Sequence, residues 1–271
     1  MAWARRVLIG TLWLSAAGAS AQPATDDAGN RALPLPAVNR VSGEEAETRS
    51  ALHCNAARDL CLRTWREADG RAWFLDIHHR VPSGADVAPA RRFALPAGEE
   101  PERETQRIWP HLIREASGAL LIGVERYRTA GFSGGGAGET QLVLLRLASG
   151  TAEPAEVLTV RTGYTAMIRA CFTEEEYRRR GACHDEYAFS GTIALAPGAA
   201  AGRPRLALAT TARSFPRGAR AETERARLRR ADLVWEPDPA CSYRRIFAFN
   251  AASGRYEPDR ALPDCTTYQL P

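Results

Sequence analysis

The sequence predicts a mainly β protein: antiparallel sheets in a sandwich or barrel-like arrangement, with one short helix and long polar loops. Three observations carry that expectation. Apolar runs of strand length recur beyond residue 50, Gly, Pro, Asp and Ser bound them, and a single segment is clearly signed as a helix. The regular strand–helix alternation that a parallel sheet demands is missing.

The N-terminus, MAWARRVLIGTLWLSAAGASAQP, has the layout of an export signal. Arg5 and Arg6 are its positive start, Val7 to Leu14 its apolar centre and Ala19-Ser20-Ala21 its small-residue cleavage site. That apolar run is well short of the ~20 residues a bilayer span needs. Residues 1–21 are therefore expected to be a signal peptide, with no transmembrane segment after cleavage. The periplasm is the expected compartment, and the extracellular medium is the alternative. Residues 22–50, with Pro34, Pro36 and the run GEEAE, show no apolar periodicity and read as a loosely ordered polar leader. Residues 51–271 are then one β-rich domain.

Along that domain, AWFLDIHHRV (72–81), GALLIGVERYRT (118–129), TQLVLLRL (140–147), EVLTV (156–160), EYAFSGTIALA (186–196), RLALATTA (205–212) and YRRIFAF (243–249) read as strands. A turn element ending in glycine recurs as EADG (67–70), EASG (115–118), LASG (147–150) and AASG (251–254). Glycine at its end suits the left-handed position of a short hairpin loop. The recurrence makes a β-propeller an alternative, although the intervals are uneven. Thr173 to Gly181 reads as a two-turn helix: Thr173 and Glu176 form a capping box, Arg178 to Arg180 face the negative helix end, and Gly181 stops it. The Glu-rich stretch 98–106 and the Arg-rich 217–233 have almost no apolar face and read as solvated loops or surface helices.

Six cysteines, Cys54, Cys61, Cys171, Cys183, Cys241 and Cys265, all lie beyond the cleavage site. An even count in an exported chain reads as disulfides, and the spacing favours three consecutive local pairs. The Cys241–Cys265 bond has the best support, because both residues lie almost equally far from the AASG turn. C-x-x-C spacing is absent, which argues against zinc.

All 36 basic residues are arginine. With no lysine, a P-loop lysine, a Schiff-base lysine and a Ser-Lys dyad are excluded. The net charge of +4 falls towards balance once Arg5 and Arg6 are removed, so nothing points to nucleic acid.

The stretch GFSGGG (131–136) fits G-x-S-x-G, but strands flank it on both sides, where a nucleophile elbow needs strand then helix. It also resembles the G-D-S-G-G-P motif of trypsin-like serine proteases, and SALHC (50–54) resembles their T-A-A-H-C motif. That resemblance implies His53 as base and Ser133 as nucleophile. Phe132 and Gly136 depart from the pattern, Ser133 comes too early in the chain, and the polar leader offers no strands for a first barrel. A hairpin turn is the expected role.

The remaining candidate is CHDEY (183–187). On a strand, His184 and Glu186 share one face, while Asp185 shares the other with Tyr187, Phe189, Ile193 and Leu195. A core-facing Asp185 needs a partner, and arginine is the expected one. His184 and Glu186 supply two ligands, which do not make a metal site. His78 and His79 fall on opposite strand faces, and His111 has no evident partner. Trp65 and Trp73 flank one hairpin and are expected in packing rather than as a sugar platform. No cofactor is indicated. The chain is therefore expected to be an exported, disulfide-bonded envelope protein with a binding or structural role, its partner an envelope protein or polymer. The alternative is a hydrolase using Ser133 or scattered carboxylates, with Glu174 to Glu176, Asp185 and Glu186 as candidates.

Overall fold

The computed structural model describes residues 25–41, 48–70, 72–81, 88–96, 98, 103–149, 153–200, 202–220 and 227–270. The signal peptide expected over 1–21 lies outside them.

The fold is mainly β, with antiparallel sheets of ten and four strands. The large sheet runs β1 (Arg31–Pro34), β6 (Glu104–Arg114), β7 (Leu120–Phe132), β8 (Gly135–Leu147), β9 (Ala155–Ile168), β10 (Asp185–Ala200), β11 (Arg203–Phe215), β13 (Arg244–Asn250) and β14 (Arg255–Pro258), with β12 (Glu236–Pro237) beside β11. The small sheet is β2 (His53–Cys54), β3 (Cys61–Arg66), β4 (Trp73–His78) and β5 (Arg91–Ala94). From β6 to β11 the chain order is the spatial order; most of the connections are short, and the one from β9 to β10 carries a helix. This meander takes the place of the propeller alternative.

Both faces of the large sheet are buried along β7 and β8, which is why TQLVLLRL is nearly continuous rather than alternating. Ile122, Val124, Val143 and Leu145 face the small sheet and pack with Leu62, Leu75 and Ile77. Leu121, Leu142 and Leu144 point the other way and meet Leu206, Leu208, Phe247 and Tyr256. The large sheet thus curls over itself without closing. The curl follows from the β9–β10 junction, where pairing holds only between residues 163–168 and 185–190. Beyond it the two strands part. The C-terminal segment enters the concave side, and Tyr268, 1% exposed, sits among Tyr164, Tyr187 and Phe189.

Several expectations change. Part of the polar leader is built in: β1 pairs with β6, and Leu35 is fully buried. The stretch read as a solvated Glu-rich loop ends in β6, where Glu104 and Gln106 are each 2% exposed and hydrogen-bonded at 2.6 Å. The register shifts between Ile108 and Leu112, and Pro110, which cannot donate to the ladder, lies in that irregular stretch. Opposite it, Gly123 leaves room for Trp109: a Cβ there would come within 2.6 Å of the tryptophan Cβ. The turn glycines Gly70, Gly118 and Gly254 have the left-handed backbone expected of them, and Gly150 lies outside the described residues.

Two of the three expected disulfides are present. Cys54–Cys61 closes the β2–β3 hairpin, and Cys241–Cys265 has a Cα separation of 5.8 Å. The third is not formed: Cys171 and Cys183 are free thiols. The Cys171 N–H donates to the Cys183 carbonyl at 2.9 Å, and the Cys171 thiol donates to the Ala182 carbonyl at 3.7 Å.

Candidate functional site

The connection from β9 to β10 holds the helix α1 (Glu174–Arg180) and brings together chemistry that lies scattered in the sequence. Just after β9, Arg169 has a left-handed backbone, with φ 61°. That conformation costs a residue with a Cβ about 1–2 kcal/mol and persists where contacts over-determine it. Here the contacts are strong. The Arg169 guanidinium donates to Asp185 Oδ2 at 2.5 Å and to the Arg220 carbonyl at 3.1 Å. The next N–H, of Ala170, donates to the Gly134 carbonyl at 2.9 Å, fastening the connection to the β7–β8 hairpin tip.

The helix forms as its sequence predicts. Thr173 Oγ1 accepts the Glu176 N–H, and Glu176 Oε2 accepts from Phe172 and Thr173 at 2.7 and 3.3 Å. Gly181 ends it in a left-handed conformation. Arg180, in the last turn, is not a solvated dipole partner. It is buried and donates to Asp185 Oδ1 from the side opposite Arg169. One carboxylate, 2% exposed at the start of β10, thus holds two guanidiniums. This is the arginine pairing expected for Asp185, with two partners instead of one.

Strand alternation sends His184 and Glu186 to the other face, where His184 Nε2 and Glu186 Oε1 are 2.8 Å apart. They sit beside Phe215, itself near Trp235, and form no joint site with Asp185. Among the described residues, no three His, Cys, Asp or Glu gather as metal ligands would. Glu174 pairs with Arg178 at 2.5 Å on the exposed helix face.

The protease pairing does not assemble. Ser133 is in the turn between β7 and β8 and, among the described residues, makes no hydrogen bond to a histidine. His53 is in the small sheet, its Nδ1 2.7 Å from the Leu35 carbonyl. Burial pushes the His53 pKa down, outweighing that contact. The tryptophan platform is also absent: Trp73 is buried in the core, whereas Trp65 stacks on Phe74 and lies under Arg92.

An open cleft of about 500 Å³ lies against the arginine pair. Arg169, Cys171, Phe172, Glu176, Arg179 and Arg180 line it. Three arginines and one carboxylate, Glu176, line it, and Asp185 holds Arg169 and Arg180 from behind. Arg179 is exposed and has no ion-pair partner among the described residues. Phe172, 73% exposed, gives the cleft an apolar lip. A second cleft of about 500 Å³, over Tyr187 and Tyr268, contains Glu236 and Asp238. Both carboxylates there bind backbone: Glu236 accepts from Gly218 at 2.9 Å, and Asp238 from Ala240 and Cys241 at 3.0 and 3.2 Å. The first cleft has the uncommitted charge.

Sequence reasoning found Asp185 and missed its arginines. The run Arg178-Arg179-Arg180 reads as a dipole-satisfying helix end, and nothing local marks Arg169. The order of strands brings them together. No protein-family model, no curated protein and no solved structure matches this chain. Among the described residues, no helix is long and apolar enough to cross a membrane.

Proposed function

We propose that this chain is an exported, disulfide-bonded binding protein of the cell envelope, with the periplasm as its compartment, and that the arginine-lined cleft takes an anionic group. The observation that carries the reading is the geometry of Asp185. One buried carboxylate fixes two guanidiniums in the cleft wall, and Arg179 beside them is exposed with no ion-pair partner among the described residues. Fixed guanidiniums match phosphate, sulfate and carboxylate oxygens through paired N–H donors, and less freedom is lost on binding than with a mobile side chain. The two disulfides are consistent with an oxidising compartment.

Calorimetric titration with inorganic phosphate, sulfate and benzoate tests this reading. Saturable binding is expected, weakening as sodium chloride is raised. Arg179→Ala is expected to reduce affinity about tenfold, the order of one charge-assisted hydrogen bond, with the unfolding midpoint unchanged. Absence of binding by the wild-type protein at millimolar anion, in both thiol states, would overturn the reading.

A further inference from the structure

Cys171 and Cys183 stand at the two ends of the segment that carries α1, and Cys171 also lines the cleft. Their backbones are joined by the 2.9 Å hydrogen bond from Cys171 N–H to the Cys183 carbonyl, and the Cys171 thiol donates to the Ala182 carbonyl at 3.7 Å, beside Cys183. Both residues are partly exposed, as is the bonded Cys265, whereas Cys54, Cys61 and Cys241 are at most 3% exposed. A dithiol that is adjacent, reachable from solvent and placed at the neck of a short helical excursion is positioned for reversible closure.

We infer that Cys171 and Cys183 form a reversible disulfide that locks the α1 excursion, so that the thiol state of this pair governs access to the arginine-lined cleft. The chemistry is exchange with a small-molecule disulfide such as oxidised glutathione. One thiolate attacks that disulfide, forming a mixed disulfide and releasing one glutathione thiolate. The second cysteine, as thiolate, attacks the mixed disulfide, closes the internal S–S bond and expels the second glutathione. Two thiol protons leave, and the two electrons end on glutathione. Burial, then the hydrogen bond and charge of Cys183, push the Cys171 pKa up to about 11. Either thiol can open the exchange, and the other resolves the mixed disulfide.

Locking follows from how little else holds the excursion. A helix of seven residues is not stable alone. Besides the cap, it is tied back by the Arg180–Asp185 pair and by the Leu228 N–H donating to the Arg180 carbonyl at 2.8 Å. Closing the neck removes open conformations of the whole segment.

The redox step stands independently of the anion reading, whereas the effect on the cleft rests on it. The test treats the full purified protein with oxidised glutathione, maps thiols by alkylation and mass spectrometry, and follows tryptic cleavage after Arg178, Arg179 and Arg180. The expected result is one internal Cys171–Cys183 bond and cleavage slowed about tenfold. Cys171→Ser and Cys183→Ser are each expected to trap a single glutathione on the cysteine that remains, because the resolving thiol is gone. Thiols that stay free, or two glutathione adducts in the wild-type protein, would overturn the inference. So would closure that leaves the cleavage rate unchanged. Phosphate affinity, measured in both thiol states, is expected to differ between them, and equal affinity would remove the gating role. If neither state binds phosphate while closure still slows cleavage, the anion reading fails and the lock stands.

Discussion

Two loops of this chain are flanked by cysteines in the same way, and the structure treats them differently. The 241–265 loop contains the β13–β14 hairpin, is covalently closed, and delivers the following tail into the concave face of the large sheet. The 171–183 loop contains α1, is open at its neck, and stands on the surface with Phe172 and Tyr177 exposed. The difference lies in what each loop buries. The first ends beside an aromatic plug, Tyr268, and its closure serves a core. The second buries only Arg180, held by Asp185, and Ala182, and no covalent bond closes its neck. A cysteine pair is a statement about spacing, and what the loop between the cysteines buries marks the structural one.

The sharpest way to break that comparison is to remove the plug. Tyr268→Ala is expected to destabilise the protein by about 3–5 kcal/mol, the usual cost of deleting a buried aromatic ring, measured as a shift in denaturant midpoint at constant slope. Tyr268→Phe keeps the ring and loses only the hydroxyl contact with Asp238, for about 1 kcal/mol. If both variants cost the same, the C-terminal tail is not filling the curl, and the two loops differ less than their burial implies.

Next in size is Asp185→Asn, which leaves two guanidiniums facing a neutral amide. Breaking one side of a buried pair costs about 3–5 kcal/mol, and the lower end applies because Arg169 keeps 19% of its side-chain surface exposed. Much of the loss is expected locally, as faster tryptic cleavage after Arg178 to Arg180. A purely global loss, with no added cleavage in α1, would show that the carboxylate supports the sheet rather than the excursion.

These two residues also mark how far the sequence could be read. Asp185 was legible because strand alternation puts it on the face of Tyr187 and Phe189, where a charge demands a partner. The partners were not legible, since Arg169 and Arg180 meet it only because β9 and β10 pair at residues 163–168 and 185–190. The helix was read from Thr173, Glu176 and Gly181, whose signals are local. The centre of the sheet was harder: β6 carries Glu104, Gln106 and Pro110, whose burial depends on contacts distant in sequence. Likewise β1 looked like leader, because a four-residue edge strand has too few apolar positions to show a period. Local chemistry is readable where a cap or turn is complete within a few residues. Long-range polar pairing is not.

The smallest effects test the seam between the excursion and the sheet. Ser133 and Gly134 form the tip of the β7–β8 hairpin, and the Gly134 carbonyl accepts the Ala170 N–H at 2.9 Å. Gly134 has φ 79°, and a Cβ there would stand 3.4 Å from both the Ala170 nitrogen and the Phe172 ring. Gly134→Ala is therefore expected to cost about 1–2 kcal/mol from the left-handed backbone, at the residue whose carbonyl holds the start of the excursion. Ser133→Ala removes a hydroxyl exposed at the turn and is expected to change stability by less than about 0.5 kcal/mol. Urea denaturation of both variants, with tryptic cleavage of α1, reads the two positions separately. Faster cleavage in Gly134→Ala alone places the support in the backbone contact. Equal behaviour of the two variants would mean that the hairpin tip does not carry the excursion, leaving Asp185 and its two arginines as the anchor.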